Sequence, residues 1–264
     1  MANELKVYAE TAGILPAAQE MRDICNDLSD IKNVRALFGA IAIAPANAGI
    51  FKVREPGADK ETAAGDTITC VIVGSHDLNM LWGKPFAEHA EGERPVCQSN
   101  DGVEGVDQDG VVHRCDDCPH NVFGENGERK ECSNGRQLYV LRPGDVFPML
   151  FKLPASALKA FDNYRVRVRL SIKRPLHAVV TRVTLASAKS RTGVSYSQPV
   201  FEAVGTLPVQ DATQIKDCMD GFIKAAKEHG VLTPDGAASA AHDLPADAAS
   251  GCTVLPDADL PENF

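Results

Sequence analysis

Residues 67–73 read Thr-Ile-Thr-Cys-Val-Ile-Val, and this stretch is the clearest indication of the fold in the 264-residue chain. Every position except Cys70 is branched at Cβ, and such side chains fit the pleated surface of a sheet better than a helix. The stretch therefore predicts a β-strand. Similar but weaker runs predict further strands at residues 37–43, 50–53, 137–141, 146–153, 178–185 and 194–204.

Helical spacing is clearest near the C-terminal end of the body. Residues 211–229 carry apolar side chains at intervals of three and four, and Gly230 follows where a C-terminal cap belongs. Asp211 and Gln214 predict a capping box at the start of this helix. Residues 17–28 show a weaker helical pattern.

Residues 158–172 fit two structures. Their apolar residues recur at helical intervals, but Val166, Val168 and Leu170 also alternate with basic residues as they would in a strand. We expect a helix at the start of the segment, and Pro175 ends either form. Many short strands and few helices predict a mainly β, or α+β, domain, with a β-barrel as the favoured architecture.

Composition sets limits on the function. The apolar content of 44% supports a folded core, and the net charge of −9 excludes a protein that is basic throughout. No apolar run is long enough for a membrane span, and the N-terminus lacks the pattern of a signal peptide, so we expect a cytoplasmic protein. In such a reducing compartment, metal binding explains eight cysteines better than disulfides do.

Residues 92–135 are rich in Gly, Asp and Asn and lack apolar periodicity, so this loop needs something other than a core to order it. Metal binding supplies folding free energy to such a loop. A Cys-x-x-Cys pair with two further cysteines predicts a closed tetrahedral zinc site, whereas an iron–sulfur cluster lacks its usual close three-cysteine run. The predicted ligands are Cys97, Cys115, Cys118 and Cys132. His113 and His120 are alternative ligands in the same window.

The same cysteines permit an enzymatic interpretation. His89-Ala-Glu91 stands before Cys115-x-x-Cys118 in the order found in zinc-dependent nucleobase and nucleoside deaminases. However, the proline before the first cysteine is replaced by Arg114, and Gly92 to Pro95 would break the helix that the motif opens. We therefore expect no catalytic activity.

Charge is strongly segregated along the chain. Residues 152–191 hold ten basic residues and one acid, Asp162, whereas residues 228–264 contain acids and neither Lys nor Arg. A basic track with nearby aromatic rings is typical of single-stranded nucleic-acid binding, and the alternative is a solvated face above buried rings. The predicted nucleic-acid contacts are Arg165, Arg167, Arg169, Lys173, Arg174, Arg182, Lys189 and Arg191, with Tyr139, Tyr164 and Tyr196 for stacking.

The last ten residues read Leu-Pro-Asp-Ala-Asp-Leu-Pro-Glu-Asn-Phe, after a linker rich in Ala, Pro, Asp and Ser. This end resembles the acidic C-terminal tips of bacterial and phage single-stranded DNA-binding proteins. The resemblance implies an oligonucleotide-binding (OB) barrel and a tip that recruits replication or recombination proteins. The tip residues concerned are Asp257, Asp259, Glu262 and Phe264.

The middle of the chain is similar to a set of phage and prophage proteins, which implies zinc and a phage setting. The similarity covers roughly residues 70–205. The residues that carry it are Cys97-Gln-Ser-Asn-Asp-Gly102, Cys115-x-x-Cys118-Pro-x-Asn121-x-Phe123-Gly124, Lys130-x-Cys132, Leu153-Pro-Ala-Ser-Ala-Leu-Lys159, Val180-Thr181 and Tyr196-Ser197.

These observations predict a non-enzymatic, phage-type single-stranded DNA-binding protein. Residues 1–230 would form an OB-like domain with a zinc loop inserted at 92–135, and residues 231–264 a disordered linker with an acidic tip. The first alternative is a zinc-stabilised phage adaptor or structural protein whose basic patch binds an acidic protein, and the second is a zinc-dependent deaminase. No membrane partner is expected, the compartment would be the host cytoplasm, and a homo-oligomer is left open.

Overall fold

The computed structural model of the protein describes residues 38–44, 48–84, 95–125, 130–189, 193 and 195–228. Within these ranges, eleven strands form one mixed sheet. The strands are β1 (Ala40–Ile43), β2 (Phe51–Arg54), β3 (Thr62–Ala63), β4 (Thr67–Leu81), β5 (Cys97–Ser99), β6 (Glu104–Asp107), β7 (Val112–Arg114), β8 (Cys132–Leu141), β9 (Met149–Leu153), β10 (Val179–Lys189) and β11 (Ser195–Thr206). The α-helices are α1 (Ala155–Arg167), extended by a π-helical turn at Val168–Ile172, and α2 (Val209–Glu228).

The strand predicted at residues 67–73 is the first half of β4, which organises the sheet. One edge of β4 pairs with β8 from Val71 to Leu81. The opposite edge pairs with β10 as far as Val71 and with β5 from Asn79 onward. Among the described residues, positions 72–78 of β4 therefore have a strand neighbour on only one edge.

The sheet is mostly antiparallel and open. Its strands run in the order β3-β2-β1-β9-β8-β4-β5-β6-β7, with β10 and β11 branching from β4, and only β1 and β9 pair in parallel among the described strands. The mainly β class is confirmed, but an OB barrel is not, because the described strands do not close the sheet.

Two hydrophobic cores on opposite faces of the sheet explain the open form. Val71 and Val73 pack with α2 on one face. Cys70 and Ile72, which alternate with them, pack with α1 on the other. A small barrel has a single interior and would leave one of these two sets exposed.

The ambiguous segment 158–172 is helical throughout. Phe161, Tyr164 and Val168 are buried against the sheet at helical spacing, and Val166 is 56% exposed on the outer side. Of the apolar residues that alternate with basic ones, Val168 therefore lies on the buried face, whereas Val166 and Leu170 are exposed. Lys173, in the left-handed conformation with φ 57°, follows the π-helical turn and ends the helical segment before Pro175.

Of the other sequence predictions, the strands are confirmed and the capping box is not. The strands predicted at 37–43, 50–53, 137–141, 146–153, 178–185 and 194–204 correspond to β1, β2, β8, β9, β10 and β11. The capping-box prediction is wrong, because α2 begins at Val209 and Asp211 lies within its first turn. Residues 17–28 and 231–264 lie outside the described residues. No helix in the described ranges has the length and apolar character needed to cross a membrane.

Two substitutions on α1 test this packing. Phe161→Ala should lower the free energy of unfolding by about 3–5 kcal/mol, because a fully buried ring leaves a cavity. Val166→Ala, on the exposed side of the same helix, should change it by less than about 0.5 kcal/mol. Urea denaturation followed by circular dichroism measures both values, and equal losses would contradict the placement of α1.

Candidate nucleic-acid interface and thiol cluster

A cleft of about 440 Å³ lies at the open edge of β4. Residues 72–75 of β4 line one side, and side chains of α1 and of the π-helical turn after it, between Asp162 and Arg169, line the other. Three predicted phosphate contacts, Arg165, Arg169 and Arg174, meet in this cleft. His177 also lines it, and burial followed by the nearby Lys216 lowers the pKa of this imidazole, which is therefore neutral at pH 7.

The local structure explains why these arginines converge. Arg165 and Arg169 lie four residues apart in the helical segment, so both project from the same flank of it, beside the face that is buried against the sheet. The left-handed Lys173 reverses the chain and returns Arg174 to the same cleft. Arg174 Nη2 donates a hydrogen bond to the Leu207 carbonyl at 2.7 Å, which orients the guanidinium.

The acid in the cleft is already neutralised. Asp162 accepts a hydrogen bond from Arg136 Nη1 at 2.5 Å, and Arg136 Nε donates to Asp77 at 2.7 Å. Burial opposes the charge of Arg136, but the hydrogen bonds to the two carboxylates outweigh burial and raise its pKa. Arg165 lies 3.5 Å from Asp162 in an exposed pair, a contact worth at most about 1 kcal/mol. The cleft therefore keeps a net positive charge.

The remaining basic residues do not extend this surface as predicted. Arg167 donates to the Phe201 carbonyl and lies over the Tyr164 ring, while Arg182 pairs with Glu202 across the β10–β11 ladder at 3.6 Å. Lys173 and Lys189 are exposed but do not line the cleft. Arg191 lies outside the described residues.

Two of the three predicted stacking residues belong to the core. Tyr139 is completely buried, and Tyr164 is 2% exposed with its hydroxyl 2.6 Å from Thr181 Oγ1. Burial raises the pKa of both phenols, that of Tyr164 to about 12. Neither ring is accessible to a base in this conformation, so their assignment is corrected. Tyr196, on β11, is half-buried.

The four predicted zinc ligands belong to a lobe formed by residues 95–125 and 130–132. Cys97 and Cys132 open β5 and β8, and both are register partners of Leu81 from opposite edges of β4. Neighbours in register point to the same face of a sheet, so these two thiols flank Leu81 on one face. As expected, neither hydrophobic core contains any residue of the range 95–125.

Gly105 provides the space around two of these thiols. A Cβ at this position would lie 2.8 Å from Cys97 Sγ and 3.8 Å from Cys115 Sγ. Cys115 is held by its own N–H, which donates to the Val103 carbonyl at 2.8 Å. A side chain at position 105 would therefore displace the Cys97 thiol.

The pKa shifts of Cys97 and Cys132 indicate that the four thiols lie near one another. Burial and then the charges of Cys115 and Cys118 raise the pKa of Cys97. Burial, with contributions from the other three thiols, raises the pKa of Cys132 to about 11. Within the described ranges, however, no three His, Cys, Asp or Glu side chains have the arrangement of a metal site.

The alternative ligands are engaged elsewhere. His113 Nε2 lies 2.6 Å from Asp107 Oδ2, and His120 Nδ1 lies 2.5 Å from Glu131 Oε2. Both histidines therefore have carboxylate partners, which favours the thiols as ligands. His89 and Glu91, on which the deaminase interpretation depends, lie outside the described residues.

An asparagine network fastens the lobe to the sheet. Asn134 Nδ2 donates to Asn79 Oδ1 at 2.5 Å and to Asn121 Oδ1 at 3.0 Å. Asn121 Nδ2 donates to the Cys115 carbonyl, and Asn79 Nδ2 donates to the Gly102 carbonyl. Sequence reasoning missed this network because its partners lie far apart in the chain, although Asn121 stands within the Cys-x-x-Cys-Pro-x-Asn motif.

In comparisons with known proteins, the chain matches no protein-family model, no curated protein and no solved structure. The acidic tip with Asp257, Asp259, Glu262 and Phe264 lies outside the described residues and stays a sequence-based prediction of a partner-binding segment.

The turn before β6 is held by hydrogen bonds to the carboxylate of Asp101, and a substitution at this position tests them. Asp101 Oδ1 accepts hydrogen bonds from Ser99 Oγ and from the N–H groups of Val103 and Glu104. Partial burial disfavours the carboxylate, but these donors outweigh burial and lower the pKa of Asp101. Asp101→Ala should therefore speed amide exchange at Val103 and Glu104 about tenfold.

Protection of these amides should be complete above about pH 4 and should disappear as the pH falls through the lowered pKa of Asp101. Hydrogen–deuterium exchange of the full chain measures both effects, with Asp109→Ala as the matched control. Unchanged exchange in Asp101→Ala would show that the turn does not depend on this carboxylate.

Proposed function

We propose that the protein binds single-stranded DNA without catalysing a reaction, and that the cleft beside β4 holds the sugar–phosphate backbone. The observation that carries this proposal is the convergence of Arg165, Arg169 and Arg174 in one cleft. The expected setting is phage replication or recombination, on the resemblances given above.

Charge supports a polyanionic ligand. Among the described residues, Arg169 and Arg174 have no carboxylate within 4 Å, and the exposed pair of Arg165 with Asp162 is weak enough to exchange. Planar guanidinium groups bind phosphate oxygens in a bidentate manner, so three of them in one cleft suit successive phosphates. In a protein of net charge −9, such a local concentration of positive charge favours a specific anionic partner.

The strand edge supports a single strand over a duplex. Positions 72–75 line the cleft where β4 pairs with β8 on one edge and, among the described residues, has no strand partner on the other. Main-chain N–H and C=O groups at a sheet edge are not paired with another strand and can form hydrogen bonds with a ligand. The bases of a single strand expose the donors and acceptors that duplex pairing would occupy.

We also propose that zinc orders the lobe. Four thiolates from Cys97, Cys115, Cys118 and Cys132 would complete the coordination sphere and leave no open position for water, so the ion would be structural. The shared neighbourhood of the four thiols and the carboxylate partners of both histidines support this ligand set. Binding would supply the folding free energy that the lobe lacks because it has no core.

One observation favours a second candidate function. An open strand edge beside arginines also suits an extended acidic peptide that adds to the sheet as a further strand. This matches the adaptor alternative. A peptide would pair with β4 in a fixed register. DNA binding releases counterions from the phosphates, so its binding constant should fall steeply as the salt concentration rises.

The DNA proposal predicts a charge-specific loss of binding. The double variant Arg165→Gln/Arg169→Gln should weaken oligo-dT binding about tenfold or more and reduce the slope of log K against log salt by about 1.4, or 0.7 for each lost phosphate contact. Lys60→Gln/Lys159→Gln removes two exposed charges that do not line the cleft and should have little effect. Fluorescence anisotropy at two salt concentrations measures both.

If wild-type protein failed to bind oligo-dT at low salt, the DNA proposal would be wrong. Equal losses in the two double variants would show that overall charge matters and the cleft does not.

The zinc proposal predicts one zinc ion per chain. Serine at Cys97, Cys115, Cys118 or Cys132 should abolish tight binding, and Gly105→Ala should weaken it because the Cys97 thiol must move. Cys70→Ser and Cys218→Ser, at buried positions in the two cores, should retain the metal. Native mass spectrometry of the purified chain counts the ion, and metal retained after substitution of the four cysteines would exclude this site.

A further inference from the structure

We propose that Phe123 and Lys130 form a stacking platform on the lobe, which binds a base of the same DNA strand that occupies the cleft. This inference rests on the proposed function, because it assigns a second contact to that ligand. It concerns residues for which the sequence predicted no role in nucleic-acid binding.

The exposure of Phe123 is the first observation. Its ring is 69% exposed, and the neighbouring Val122 is 57% exposed. Single exposed apolar residues are common on protein surfaces, but an aromatic ring that stays this open offers a face on which a base can stack. Replacing water on both surfaces by ring–base contact is favourable and does not depend on the identity of the base.

The position of Lys130 is the second observation. Its Nζ lies 5.1 Å from the centroid of the Phe123 ring and 3.3 Å from Asn121 Oδ1. An ammonium over one face of an aromatic ring can combine two contacts with a nucleotide, because the cation can bind the phosphate while the opposite face of the ring stacks with the base. Asn121 belongs to the network that fastens the lobe, so this cation is held near the sheet.

The platform and the cleft lie on the same face of the sheet. Asn134, which donates to Asn121, and Arg136, which donates to Asp162 of α1, are two residues apart in β8. Side chains two residues apart in a strand point to the same face. Hydrogen bonds therefore connect Lys130 through Asn121 to Asn134, and ion pairs connect Arg136 through Asp162 to Arg165, with β8 joining the two sets.

The spacing along β4 sets the length of DNA that can reach both. Asn79 contacts the lobe network, and Gly74 lines the cleft. Five residues of strand separate them, which corresponds to about 17 Å. At about 3.4 Å for each stacked nucleotide, a strand that follows β4 from the cleft to the start of the lobe network would span about five nucleotides. An oligonucleotide shorter than this can use the cleft alone.

The test compares oligo-dT of four and twelve nucleotides by anisotropy, with wild type, Phe123→Ala, Phe123→Trp and Val112→Ala. Phe123→Ala should weaken binding of the longer oligonucleotide about tenfold and leave the shorter one unchanged, because the loss of one stacked base acts only where the strand reaches it. Phe123→Trp should restore binding. Val112→Ala, an exposed apolar residue of the same lobe, should have no effect.

The outcomes separate the two proposals. If Phe123→Ala weakens both oligonucleotides equally, or neither, the platform is wrong. The proposed function would still stand in that case, provided that Arg165→Gln/Arg169→Gln weakens the longer oligonucleotide. If wild type binds neither length at low salt, the proposed function fails and the platform fails with it.

Discussion

The structure depends on which strands pair with the two edges of β4. One strand of 15 residues pairs along most of its length with β8, while its opposite edge is divided between β10 and β5. Backbone hydrogen-bonding groups must be satisfied by some partner, so the gap between β10 and β5 becomes a place where a ligand can act as that partner. The cleft lies at this gap, and the lobe lies at the far end of the same strand.

The secondary structure was largely predictable because the relevant patterns are local. The β-branched run in β4 and the helical spacing of Phe161, Tyr164 and Val168 each occupy a single continuous stretch. The architecture was less predictable. Whether a sheet closes depends on pairings between distant strands, and the alternation of Cys70 and Ile72 with Val71 and Val73 predicts a strand without showing that both of its faces are buried.

In the candidate site, too, local patterns were predictable and contacts between distant residues were not. Either a helix or a strand over this segment places Arg165, Arg169 and Lys173 on one side, and the first two line the cleft whereas Lys173 does not. Tyr139 and Tyr164 were misassigned because a tyrosine near arginines in sequence does not reveal which way its ring points. Contacts between Asn79, Asn121 and Asn134 were invisible, since nothing in the sequence relates residues that meet only after the sheet has formed.

Arg136 has a consequence for the shape of the cleft. Its side chain is only 14% exposed and holds Asp77 of β4 and Asp162 of α1 at the same time. This doubly anchored guanidinium ties the strand to the helix, so the proposed DNA strand would meet an opening whose two sides are already connected. A preformed opening loses little conformational entropy on association, and affinity then depends mainly on contacts with the ligand and little on reorganisation of the protein.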